Sequence, residues 1–194
     1  MKEIIRQLFA EENIFLCEGL PFLHCRVISE HKLKRLSFLP TAAIVFAIPY
    51  LTTCDGVRNL SRYAVARDYH LYVKELSERL LPKLEAIYPE GRFAMFADNS
   101  PIDERQAAAM AGLGVLGENN LLITEKYSSY VFLCEIITNY PVPVSADMQI
   151  KHCHGCGKCR SLCPKEECGV CLSSLTQKKG ELTEHEKQSI KKYG

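Results

Sequence analysis

Apolar residues fall along this chain at helical spacing or in short continuous runs, and each pattern predicts an element. In Met1–Glu12, Ile4, Ile5, Leu8 and Phe9 fall on one helical face. Ala42–Tyr50 is a short apolar run rich in β-branched and aromatic residues and closed by proline, as a buried strand would be. From Asn59 to Tyr88, Leu60, Tyr63, Ala64, Leu71, Val73, Leu76 and Leu80 recur at threes and fours. They predict one long helix that Pro82 kinks or splits. Arg92–Ala97 reads as a strand. Ser100-Pro101-Ile102-Asp103 then reads as a helix start, with Ser100 as cap and Pro101 in the first turn. That helix should run through the alanines to Ala111 and stop at Gly112. Asn120–Thr124 and Tyr130–Thr138 predict two more strands, and Tyr140–Met148, with two prolines, a linker. Thr183 and Glu186 have capping-box spacing for a last, polar helix. The pattern divides the chain into a mixed α/β region, 1–148, and a cysteine-bearing region, 149–194.

Composition narrows the class. Of the 194 residues, 47% are hydrophobic and 24% charged, enough apolar material for an ordinary core. The longest apolar stretch, Ala42–Leu51, contains Pro49 and is too short to cross a bilayer, so no membrane association is expected. A net charge of +1 makes no overall case for nucleic acid and leaves room for a local basic patch. The start, MKEIIRQLFAEEN, carries early acidic residues and no long apolar core. A cytoplasmic, reducing location is therefore expected, where clustered cysteines mean metal or redox chemistry.

The chain has 10 cysteines, and their spacing carries most of the chemistry. Cys17, Cys25, Cys54 and Cys134 are scattered; packing in the core is the expectation for Cys17 and Cys134. Cys153, Cys156, Cys159 and Cys163, followed by Pro164, form C-x2-C-x2-C-x3-C-P. This is the bacterial ferredoxin spacing for a [4Fe–4S] cluster, whose fourth cysteine commonly serves a second cluster. Soft thiolates suit iron corners, and short loops can gather three of them. Zinc is the rival reading, although structural zinc sites usually separate their cysteine pairs by more residues. His152 and His154 read as exposed neighbours of the ligands.

Gly112-Leu113-Gly114-Val115-Leu116-Gly117 matches G-x-G-x-x-G. A dinucleotide site would need the motif to follow a strand and open a helix. Here a helix precedes it and a strand follows, so the glycines are expected to stop a helix and permit a close approach. Asp98, at a strand end before a helix start, suits an amide cap on its position alone. Arg62, Asp68 and His70 suit an ion-paired helix face, and Glu104 suits the dipole of a first helical turn.

Several blocks together resemble the epoxyqueuosine reductase family. They are Ser61-Arg62-Tyr63-Ala64 with Arg67-Asp68-Tyr69-His70, Phe96 to Arg105 (FADNSPIDER), Ala111 to Asn119 (AGLGVLGEN), Tyr127 to Glu135 (YSSYVFLCE), the cysteine run, and Cys171 to Thr176 (CLSSLT). The resemblance covers most of the chain from about residue 40. It implies an α/β (α+β) cobalamin-binding domain, as in reductive dehalogenases, joined to a ferredoxin-like two-cluster module. It implies a cytoplasmic reductase that takes the oxygen from an epoxide on tRNA, or from a small epoxide, in queuosine biosynthesis. Electrons would pass singly through the clusters to cobalt, whose cob(I) form attacks the epoxide carbon. Asp98 would protonate the leaving oxygen, which calls for a carboxyl whose neutral form is favoured by partial burial. Cobalamin contacts are expected around Ser61, Asp98, Leu122 and Leu133, with no protein histidine on cobalt. A flavodoxin or ferredoxin would be the electron donor.

By the same resemblance, Cys153, Cys156 and Cys159 hold three corners of one cluster, Cys163 and Cys171 two corners of another, and Cys168 is an extra thiol. The family continues past Cys171 with a second cysteine group, so the module is expected to be partial, and residues 165–194 loosely ordered. Glu118 stands where the family has lysine, which opens the alternative of another substrate with the same cofactors. A further alternative is an electron-transfer or cofactor-carrying protein without catalysis.

Overall fold

The computed structural model describes residues 2–51, 61–65, 67–144, 147–163, 171–176 and 180–193. Its centre is a four-stranded antiparallel sheet in the order β1-β2-β6-β3, from strands β1 (Leu16–Pro21), β2 (Ala42–Pro49), β3 (Phe93–Ala97) and β6 (Val131–Thr138). Side chains alternate across a strand, and β2 shows the consequence. Ile44 and Phe46 face one layer with Cys134 and Ile136, under helices α1 (Lys2–Glu11) and α3 (Tyr69–Ile87). Ala43, Val45 and Ala47 face the other, under α4 (Glu104–Met110). Alanines on both sides of that second interface, Ala43 and Ala47 against Ala107 and Ala108, let α4 lie close to the sheet. On the first face Phe9 meets Phe46 edge-on, ring centres 5.0 Å apart. Short segments complete the fold: α2 (Glu30–Leu33), a hairpin of β4 (Val115–Leu116) and β5 (Leu122–Ile123), α5 (Lys158–Ser161), α6 (Leu172–Thr176) and α7 (Glu184–Tyr193).

The first helix and the long strands fall where the hydrophobic pattern puts them. The predicted Asn59–Tyr88 helix does not. Its described part opens at Asp68, whose carboxylate accepts from the His70 amide at 3.0 Å. Residues 62–64 form a separate 3₁₀ turn, and 52–60 lie outside the described residues. Leu71, counted as an apolar-face residue, is exposed; the buried stripe is Val73, Leu76, Leu80 and Leu84. Pro82 neither ends nor splits α3. It sits on the exposed face four residues after exposed Glu78, so water can satisfy the carbonyl its ring deprives of a donor.

The cap of α4 also differs from expectation. Asp103, not Ser100, accepts from the third amide, that of Gln106, at 3.3 Å. Ser100 is buried and closes a tighter turn, its Oγ accepting from the Ile102 amide at 3.0 Å. The helix stops as expected at Gly112, which takes φ +83°. The capping box of α7 is present in both directions: Thr183 N–H donates to the Glu186 carboxylate at 2.7 Å, and the Glu186 amide donates to Thr183 Oγ1 at 3.3 Å. Past residue 165 the described parts form helices α6 and α7, with Leu175 and Ser189 buried. None of the helices among the described residues is long and apolar enough to cross a membrane.

Candidate active site and cysteine loop

The antiparallel order brings the ends of β2 and β3 and the start of β6 to one edge of the sheet, beside the N-terminus of α3. Aromatic residues line this edge. Tyr69 stacks on Phe132 with ring centres 4.0 Å apart and planes 9° from parallel. Tyr50 lies 4.5 Å from Phe132 and 5.9 Å from Tyr130, and the Arg62 guanidinium sits 5.7 Å over the Tyr130 ring. Partial burial pushes the Tyr50 hydroxyl above its ordinary value, with Tyr130 adding to it.

Asp98 stands at the rim of this wall. Its backbone is left-handed, φ +57°, a conformation Asp and Asn tolerate better than most residues, and it turns the chain sharply out of β3. Its carboxylate accepts from the Tyr69 hydroxyl and lies 3.6 Å from His70 Nε2. The other ring nitrogen of His70 is 2.9 Å from Asp68. His70 thus stands between two carboxylates, and its hydrogen bond is the largest cause holding Asp68 below the usual carboxylate range. The arrangement can receive, hold and pass a proton at Asp98. The partial burial expected of Asp98 is not seen: its side chain is 65% exposed. Asp68 and His70, expected on an ion-paired helix face, and Tyr69 gather around Asp98. The helical period hid them because they form the first turn of α3, where spacing says little.

The expected cobalamin contacts divide between the two faces. Ser61 is exposed and adjoins Arg62 over the aromatic wall, so its segment and Asp98 share one end of the sheet. Leu122 is buried in the second core, and Leu133 packs against that core from β6. A separate cleft of about 730 Å³ opens past the end of α4, lined by Gly112 to Val115, Ile123 to Lys126 and residues near Lys151. That volume is in the range of small-molecule and cofactor sites. None of the four expected contact residues lines it. The glycines here serve close approach: a Cβ on Gly114 would strike the Ile123 carbonyl, and no dinucleotide geometry of strand, glycine turn and helix is present.

The cysteines separate by environment. Burial pushes the thiols of Cys17 up to about 11 and Cys25 up to about 12, and raises Cys134 well above its ordinary value. These three stay protonated in the core, as expected for Cys17 and Cys134. Cys54 and Cys168 lie outside the described residues. Cys156 and Cys159 are exposed, Cys153, Cys163 and Cys171 half-buried, and all five are free thiols. Left-handed glycines at 155 and 157, φ +67° and +72°, wind the loop between Cys153, Cys156 and Cys159. Among the described residues, no three potential metal ligands converge. The donor set still fits a soft metal centre: free thiols at ligand spacing on an exposed, glycine-turned loop.

A basic segment borders the Asp98 loop. Between β1 and β2 stand Arg26, Lys32, Lys34, Arg35, His24 and His31, against the single acid Glu30. The Ile28 and Ser29 amides donate to the Pro101 carbonyl at 2.8 and 3.2 Å, and Asp103 N–H donates to the Arg26 carbonyl at 2.9 Å. A net charge near zero conceals this strip; the local run of cations in the sequence was the signal for it.

An epoxyqueuosine reductase from Pseudomonas aeruginosa is 37% identical over 105 residues, covering 54% of this chain and 29% of the relative. In sequence the chain is similar to proteins named epoxyqueuosine reductase. It spans 29–46% of the length of the curated relatives it matches. An epoxyqueuosine reductase from Streptococcus thermophilus shares the fold with a TM-score of 0.71 and 21% identity, covering 98% of this chain and 62% of that one. Another, solved with an epoxyqueuosine-modified tRNA stem loop, aligns with a TM-score of 0.66 and 21% identity over 97% of this chain and 61% of that one. No protein-family model matches the chain.

Proposed function

We propose that this chain carries the α/β part and cluster-ligating cysteines of an oxidoreductase that deoxygenates epoxyqueuosine in tRNA. The observation that carries the reading is Asp98 on its left-handed turn, hydrogen-bonded to Tyr69 and joined through His70 to Asp68, beside a flat aromatic wall. Removing an epoxide oxygen consumes two electrons and two protons and releases water. Bound cobalamin would supply a nucleophilic cobalt centre, and iron–sulfur clusters would supply single electrons. Asp98 delivers a proton to the departing oxygen, and His70 restores it. Tyr69 holds the carboxylate, and the aromatic faces of Tyr69, Phe132 and Tyr50 would help exclude water from the site once cobalamin is bound. We assign the cobalamin contacts to the segments at Ser61, Asp98, Leu122 and Leu133, and the cluster ligands to Cys153, Cys156, Cys159, Cys163 and Cys171. The 1–148 and 149–194 division stands as part of this reading. The direct test is anaerobic incubation with cobalamin, a low-potential reductant and an epoxyqueuosine-bearing stem loop, read by nucleoside mass spectrometry. Loss of one oxygen supports the reading; cobalamin binding without any turnover supports the carrier alternative.

The basic strip fits an RNA substrate, because backbone bonds tie it to the loop that carries Asp98. Lys34 and Arg35 are exposed. Reversing both, Lys34→Glu with Arg35→Glu, should weaken stem-loop binding about tenfold or more at low salt. It should also flatten the plot of log affinity against log salt by about 1.5. Fluorescence anisotropy across a salt series measures both, and an unchanged slope removes this strip from the interface.

A further inference from the structure

The turn that follows β4 holds one carboxylate against the cysteine loop. Leu116 N–H donates to the Lys151 carbonyl at 2.8 Å, and Cys153 N–H donates to the Leu116 carbonyl at 2.9 Å. These backbone bonds fix the turn beside the loop whatever the cysteine side chains do. Gly117 N–H donates to the Leu121 carbonyl at 2.9 Å, and the Leu121 amide donates to Asn119 Oδ1 at 3.3 Å, so the turn is closed on itself. Glu118 projects from it. Its Oε2 lies 4.0 Å from Cys159 Sγ and 3.5 Å from Arg160 Nε. Its Oε1 lies 3.9 Å from where a Cβ on Gly155 would sit.

We propose that Glu118 is a positioning residue that tunes the iron–sulfur centre held by Cys153, Cys156 and Cys159, lowering its reduction potential, with Arg160 as the opposing charge. The inference rests on the cluster assignment above. Reduction adds one electron to the centre, and a carboxylate 4.0 Å from one of its ligand sulfurs, Cys159 Sγ, disfavours that added charge. Arg160 favours it, but is 76% exposed against 36% for Glu118, so water screens it more. The net effect is that of the carboxylate. It makes the reduced centre a stronger one-electron donor, as reductive opening of an epoxide requires.

The test uses the anaerobically reconstituted chain, with iron and sulfide counted first. Potentiometric titration, followed by the electron paramagnetic resonance of the reduced centre, then compares wild type, Glu118→Gln and Arg160→Gln. Glu118→Gln should raise the reduced-to-oxidised ratio at fixed potential about tenfold, an upward shift of about 59 mV for one electron. Arg160→Gln should shift the potential down, and added salt should shrink both effects. Opposite signs are the electrostatic signature; a turn that merely holds the loop in place would not produce them. Iron present with both potentials unmoved, or both moved in one direction, overturns the tuning role and leaves the cluster assignment intact. Wild-type protein that takes up no iron and sulfide overturns the cluster assignment, and the tuning role with it.

Discussion

Asp98→Asn is expected to lower the single-turnover deoxygenation rate by about 10²–10⁴-fold, the usual contribution of a positioned general acid. The substitution isolates the proton. An amide is nearly isosteric with the carboxyl, and its oxygen can still accept from the Tyr69 hydroxyl that now holds Asp98. Asparagine also tolerates the left-handed backbone that Asp98 adopts at φ +57°. Alanine would not: it adds about 1–2 kcal/mol of backbone strain and blurs the result. The side chain is largely exposed, so the melting temperature should stay close to that of wild type, and cobalamin affinity should change little. Tyr69→Phe is the companion measurement. It removes the donated hydrogen bond and keeps the ring stacked on Phe132, so its loss should be smaller than that of Asp98→Asn. A rate for Asp98→Asn within about threefold of wild type would take the proton from another group. His70 and Asp68 would be the next candidates, given their contact.

The parts of this architecture that could be read from the chain are those where one period runs long enough to decide. β2 and β6 are each eight residues of buried or half-buried, mostly apolar sequence, and nothing polar in them competes with a strand reading except Glu135. The start of α3 lies later than periodicity predicts, because Leu60, Tyr63 and Ala64 continue a helical spacing in the sequence ahead of Asp68. Asp68, an Asx-type cap, wins over the periodicity. Ser100 lost the α4 cap to Asp103 in a similar way, since two good capping residues stood three apart and only the fold selects between them. The cysteine run was legible because ligand spacing is a local property. The meeting of Asp98 with Tyr69 and His70 was not, because it depends on β3 ending beside the first turn of α3, 28 and 29 residues apart in the chain.

Cys156→Ser should remove most of the iron and sulfide that the chain takes up, together with its broad charge-transfer absorption. Serine keeps the shape of the side chain but offers a harder, more basic oxygen in place of a polarisable thiolate. Changes outside the ligand shell already cost about 10–100-fold in metal affinity, so the loss of a direct ligand should exceed that. The location of Cys156 makes the result clean. It is exposed, between two left-handed glycines, and the loop is tied to β4 through the backbone of Leu116, Lys151 and Cys153 rather than through this side chain. The sheet and its two cores should therefore melt as in wild type. Cys134→Ser provides the contrast. That thiol is fully buried in β6, and a hydroxyl there must find a partner or cost about 1–3 kcal/mol. It should lower stability and leave iron uptake unchanged. If the anaerobically purified chain instead carries one zinc per molecule and no sulfide, the four cysteines of the run serve a zinc site. In that case the electrons for any reduction must enter by another route.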